Sequence, residues 1–188
     1  MRVTKRDLII FLIIFSIGTI LGTIGTVSFP IGTNMSYFWP AAVVQTVGGL
    51  FFGIWGVLAG TLFPSLSNAL TDGSKSHVIW LIPANFIQSF IPLCVKKVIG
   101  FSPRSLDMKS IFGFIVGCAI LPHVFGGFVG CGALFLLGDI PNQAEFWRTL
   151  RVWLIGNIPC SIVFGLLLVK TVAPILEDCN LLYKSFLK

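Results

Sequence analysis

Long apolar stretches alternate with short polar ones along this chain. The runs at about 8–28, 78–98, 110–137 and 152–173 are each long enough for a helix that crosses a bilayer, which takes ~20 mostly apolar residues. A fifth apolar stretch, 40–70, is harder to divide. Between Trp39 and Thr71 it holds no Asp, Glu, Lys, Arg or His. As one straight helix it would extend ~46 Å, against a hydrocarbon core of ~30 Å. A turn within "GLFFGIWG" (Gly49–Gly56) would divide it, because glycine tolerates tight backbone paths. The pattern therefore predicts either five or six spans.

Charge chooses between them. Arg2, Lys5 and Arg6 precede the first span, which puts the N-terminus in the cytoplasm by the positive-inside rule. Six spans then leave Arg2, Lys5, Arg6, Lys96, Lys97, Arg104, Lys109, Lys170, Lys184 and Lys188 inside, ten of the 13 basic residues. Five spans would invert the later loops and leave six inside against seven outside. The expectation is an all-α, multi-pass protein of the cell membrane. It is a six-helix bundle forming a single domain over 1–188, with spans at about 8–28, 39–52, 54–70, 78–98, 110–137 and 152–173. Both termini are expected in the cytoplasm. The outer loops are then 29–38, 71–77 and 138–148, and the main inner linker is 96–109. The first run has no small-residue cleavage site after it, so it reads as a retained span and not as a signal peptide.

Composition agrees with this picture. The chain has 188 residues, of which 55% are hydrophobic and 11% charged, and its mean hydropathy is +0.94. A water-soluble domain carries about 25% charged residues. No polar stretch is long enough for a soluble catalytic domain. The net charge of +6 flanks the apolar runs, so it reads as membrane orientation and not as nucleic-acid binding. The five cysteines form no CxxC pair and read as small packing residues.

Candidate chemistry is sparse. There is no HExxH, GxSxG or P-loop, and His77 and His123 are the two histidines. No enzyme, metal site or cofactor is expected. His123 follows Pro122 in "AILPHVFGG", and Gln45, Asn68, Asn85, Gln88 and Asn157 also fall within spans. Amides and imidazoles at that depth must find partners, either as interhelical bonds or as a polar pocket. Tyr37, Phe38, Trp39, Trp80, Phe146, Trp147 and Trp153 gather toward the expected outer side. They read as an interfacial belt or as a pocket for a flat ligand. The candidate lining set is Trp80, Asn85, Gln88, His123, Trp147, Trp153 and Asn157. Gly18 and Gly22 form a GxxxG pair that serves packing within the bundle or docking of a second subunit.

The small chain, the six spans, the small-residue first helix and the segment "GGLFFGIWGVLAGTLFPSLSNAL" resemble the substrate-binding S component of energy-coupling-factor vitamin transporters. The resemblance covers nearly the whole chain. It implies a six-helix bundle that captures a vitamin-like micronutrient near the outer face, with outer loops closing over it. It also implies that the first helix docks on a transmembrane coupling subunit served by two cytoplasmic ATPases. Gly18 and Gly22 would occupy the AxxxA-type docking spacing. A weaker likeness links "YFWPAAVVQTVGG" and "WLIGNIPCS" to the integral-membrane sensor domains of bacterial signalling proteins. There Asn157 stands where those domains carry an acidic residue. Such sensors normally precede a kinase or cyclase domain, and nothing of that kind follows in these residues.

Overall fold

The computed structural model describes residues 3–28, 36–71, 78–99 and 106–183. The expected loops 29–38 and 71–77 fall largely outside them, at 29–35 and 72–77, and the linker 96–109 falls partly outside, at 100–105. Five helices among the described residues are long and apolar enough to cross a membrane. They are α1 (Lys5–Ser28), α2 (Ala41–Thr71), α3 (Ile82–Ile99), α4 (Met108–Leu136) and α5 (Gln143–Asp178). A 3-10 turn, Val78–Leu81, leads into α3.

Polar side chains mark several helix starts. Thr4 and Asp7 form a reciprocal cap on α1: the Thr4 N–H donates to Asp7 Oδ2 at 2.9 Å, and the Asp7 N–H to Thr4 Oγ1 at 3.3 Å. Asp107 accepts from the Ser110 N–H at 2.8 Å and Asn142 from the Glu145 N–H at 3.0 Å. The Ser110 bond holds the Asp107 carboxyl below its ordinary range.

α2 is not straight. Gly53 has φ 58° and ψ −137°, close to the first central residue of a type II′ turn, a conformation that glycine dominates. The chain doubles back there. Gln45 Nε2 donates to Gly60 O at 3.1 Å. Ala41 and Ser67 both lie against Gly22 of α1, although ~39 Å would separate them along a straight helix. Gly48, Gly49, Gly56 and Gly60 give this close approach its room: a Cβ at Gly48 would already lie 3.3 Å from Gly56 O.

α4 is wound as a π-helix over Phe114–Ile120, just before Pro122. The proline has no N–H to give, and the Leu121 N–H reaches back to Val116 O. The wide turn is closely packed. Gly117 faces Val95, and Gly165 of α5 faces the Phe114 ring.

At one end of the bundle four segments meet. The Tyr183 N–H caps Phe51 O at 2.9 Å. Lys96 Nζ donates to Leu50 O at 2.8 Å and to Tyr183 O at 2.6 Å. Arg6 donates to Leu181 O at 3.2 Å and sits 5.1 Å from the Tyr183 ring centre. The Tyr183 hydroxyl donates to Asp7. Burial, then the Asp7 carboxylate, push the Tyr183 phenol up to about 12. The start of α1, the hairpin tip, the end of α3 and the C-terminal tail are thus tied together.

The last helix departs from expectation. It begins at Gln143, so most of the expected loop 138–148 is its first turns, and the break from α4 is only Leu137–Asn142. The Asn142 cap fixes that start. By composition alone the aromatic residues after it read as a loop.

Candidate functional site

At the opposite end from the joined termini lies a pocket lined by Ser36, Trp39, Pro64, Asn68, Leu81, Asn85, Trp153 and Asn157. Its cavity is about 40 Å³, room for a few water molecules. The segment before α2 forms one wall. Ser36 Oγ donates to Gly25 O at 2.9 Å, and the Trp39 N–H donates to Gly156 O at 3.2 Å. Gly25 and Gly156 let this segment seat: a Cβ at Gly25 would lie 2.9 Å from Pro40 Cδ, and one at Gly156 would meet Ser36 O. Trp39 stacks on Phe63 with ring centres 6.1 Å apart. Trp153 lies along α4, where a Cβ at Gly130 would fall 3.0 Å from its ring.

Below the pocket a polar column continues into the bundle. Asn85 bridges the two, because it lines the pocket and accepts from Gln45 Nε2 at 3.4 Å. Gln88 and Ser89 follow one turn deeper on α3 and are fully buried. Gly126 makes space for Gln88. One turn further along α4, His123 Nε2 and Ser161 Oγ share a hydrogen bond of 2.7 Å, and Thr46 Oγ1 donates to Ser161 Oγ at 3.2 Å. On α5, Trp153, Asn157 and Ser161 recur every four residues, which places them on one face.

Many of these groups are only half satisfied. Gln45 Oε1, Asn85 Nδ2, Gln88 Nε2 and Oε1, Ser89 Oγ, His123 Nδ1, Trp153 Nε1 and Asn157 Oδ1 are buried without a hydrogen-bond partner among the described residues. Each such group in a low-dielectric interior costs free energy. Their concentration along one column, under a pocket, is what a binding cavity requires and what a purely structural core avoids.

The candidate residues divide by position. Asn85, Trp153 and Asn157 line the pocket. Gln88 and His123 lie in the column beneath it, both fully buried. Trp80 and Trp147 are not in its lining: they are 55% and 46% exposed. Trp147 belongs to an outward aromatic group with Phe128 and Phe146, the interfacial reading of those rings. The candidate lining set leaves out Ser36, Trp39, Pro64, Asn68 and Leu81. Of these, Asn68 and Trp39 carried a signal, an amide within a span and an indole beside proline.

Gly18 and Gly22 are buried against α2. A Cβ at Gly18 would come within 2.6 Å of the Phe63 ring, and one at Gly22 within 2.7 Å of Ser67 Oγ. Their small size serves packing inside the chain, and α2 occupies the face that subunit docking would need. The face of α1 that stays exposed is aliphatic, with Leu8, Leu12, Ile13, Ile17, Ile20 and Ile24.

The chain has no match among protein-family models, curated proteins or solved structures.

Proposed function

We propose that this protein is the substrate-binding subunit of a micronutrient uptake transporter of the energy-coupling-factor type, without catalysis of its own. The observation that carries this reading is the pocket of Trp39, Trp153, Asn68, Asn85 and Asn157 at one end of the bundle, joined through Asn85 to a column of unsatisfied amides. In the proposed topology the chain crosses the plasma membrane six times, with the two legs of α2 as separate passes. The pocket faces outward and both termini lie in the cytoplasm. The reversal at Gly53 and the shared joint of Asp7, Leu50, Lys96 and Tyr183 support it. So does the basic count inside.

Capture works by closure. The 40 Å³ cavity is far below the ~300 Å³ of ordinary small-molecule sites. A ligand therefore enters a more open state and is enclosed as the wall of residues 36–39 returns. Only a ligand with higher affinity for the closed state shifts the population toward it. A transmembrane coupling subunit and two cytoplasmic ATPases would supply the work of release. In this protein docking falls to a surface other than Gly18 and Gly22.

Two experiments test the proposal. The affinity-purified chain, extracted from its own membranes, is expected to bring down a polytopic partner and two ATPases. Recovery of a signalling complex without ATPases would favour the sensor-like alternative. For topology, a cysteine placed at Ser102 in an otherwise cysteine-free chain is expected to resist an impermeant maleimide in intact cells. It should react once the membrane is opened. Labelling in intact cells would overturn the six-pass arrangement.

A further inference from the structure

Resting on the uptake reading, we infer the chemical class of the ligand: an uncharged, flat ring that carries a cyclic or primary amide. Three observations converge. First, among the described residues none that lines the pocket is charged, and neither are Gln45, Gln88 and Ser89 beneath it. The column's one ionisable side chain, His123, already shares a hydrogen bond with Ser161. An anion or cation here would be stripped of water with no opposite charge to meet it, which costs far more than burying a neutral polar group.

Second, the unpartnered atoms come as both donors and acceptors. Asn85 Nδ2, Gln88 Nε2 and Trp153 Nε1 donate, while Gln45 Oε1, Gln88 Oε1 and Asn157 Oδ1 accept. Gln45, Asn85 and Gln88 are 0%, 3% and 0% exposed. An amide presents a donor and an acceptor side by side, the pattern a carboxamide side chain meets with two bonds, as Asn and Gln do at the edge of adenine. Third, Trp39 and Trp153 both line the pocket. Indole faces stack well on a planar ring.

Gly126 is a positioning residue in this scheme. A Cβ there would come within 2.6 Å of Gln88 Nε2 and push the amide out of place.

The test uses the full chain. Native mass spectrometry of protein released from its own membranes identifies what it holds. A neutral molecule with an amide or lactam supports the assignment. A bound anion or cation overturns it and leaves the uptake reading standing. The second measurement is tryptophan fluorescence with three congeners: nicotinamide (neutral), nicotinate (anion) and 1-methylnicotinamide (cation with the same amide). Fragments of this size bind in the ~mM range. Nicotinamide is expected to bind ~10-fold or more tightly than either charged congener. Equal or tighter binding of a charged congener overturns the class. Protein that carries no small molecule and ignores nicotinamide at ~10 mM loses both this assignment and the uptake reading.

Gln88→Leu separates a ligand group from a structural one. It is expected to weaken nicotinamide ~10-fold while raising the melting temperature of the empty protein, because it removes two unsatisfied buried atoms. A lower melting temperature would mark Gln88 as a structural bond and overturn its role. Gly126→Ala, which keeps the Gln88 side chain but displaces its amide, should weaken binding in the same way. Unchanged binding in that variant counts against the column as the site.

Discussion

Alanine at Gly53 or Gly56 is expected to destabilise the protein by about 3 kcal/mol each, read as a fall in the unfolding midpoint in mixed micelles. The two substitutions act by different routes. At Gly53 the backbone holds φ 58° and ψ −137°. A Cβ clashes with the neighbouring peptide in that conformation, so the reversal itself is strained. At Gly56 the backbone is ordinary, but a Cβ would run into the carbonyl oxygen of Gly48 on the facing leg. A backbone atom cannot swing aside as a side chain does, so the two legs must part. That separation would loosen the bond from Gln45 to Gly60 O and with it the floor of the pocket. Gly132→Ala is the control. Nothing lies within 4 Å of the added atom, and the expected change is within about 0.5 kcal/mol. If Gly56→Ala melts with the Gly132→Ala protein, the legs are not in contact and the hairpin is wrong.

Lys96→Met is expected to cost about 2–3 kcal/mol and to free the C-terminal tail. The ammonium donates to Leu50 O and Tyr183 O. Leu50 O belongs to the last turn of the first leg of α2, where helix carbonyls lack partners and the helix dipole is negative. Methionine keeps the length and the apolar stem but leaves both oxygens unmet. Removing the buried charge recovers some desolvation energy. The loss is expected to win, because two carbonyls are orphaned together, and the tail then rests on its bonds to Phe51 O, Asp7 and Arg6. Chymotrypsin should then cut at Tyr183 faster than in the parent. An unchanged cleavage rate and midpoint would mean that Lys96 merely lays its stem along the bundle.

Much of the architecture was legible because it follows from hydrophobic spacing and glycine chemistry. The run 40–70 was too long for one pass, and glycines clustered at its middle. The reversal falls at Gly53 within that cluster. The start of the last helix was not legible. Aromatic and charged residues at 143–151 resemble an exposed loop by composition, and only the Asn142 cap reveals a helix. The site was half legible. Amides inside apolar runs must be paired or bound, so Asn85, Gln88 and Asn157 could be singled out from sequence. Indoles carry no such rule. Trp39 turns inward because its backbone N–H reaches Gly156 O and its segment nests on α5. Trp80 and Trp147 stay exposed. That difference arises from contacts between distant segments, which linear spacing does not encode. The same holds for Gly18 and Gly22, whose spacing is equally suited to a partner and to α2.

The first leg of α2 also bears on how this protein is made. Its carbonyls at Leu50 and Phe51 are capped by Lys96 and by the Tyr183 N–H, groups that leave the ribosome long after the leg itself. At ~18 Å the leg is also too short to hold a position across the bilayer alone. In the proposed six-pass topology the leg therefore lacks its Phe51 cap until Tyr183 has been made. A chain without Tyr183 would keep the Lys96 bond to Leu50 O but leave Phe51 O without its cap.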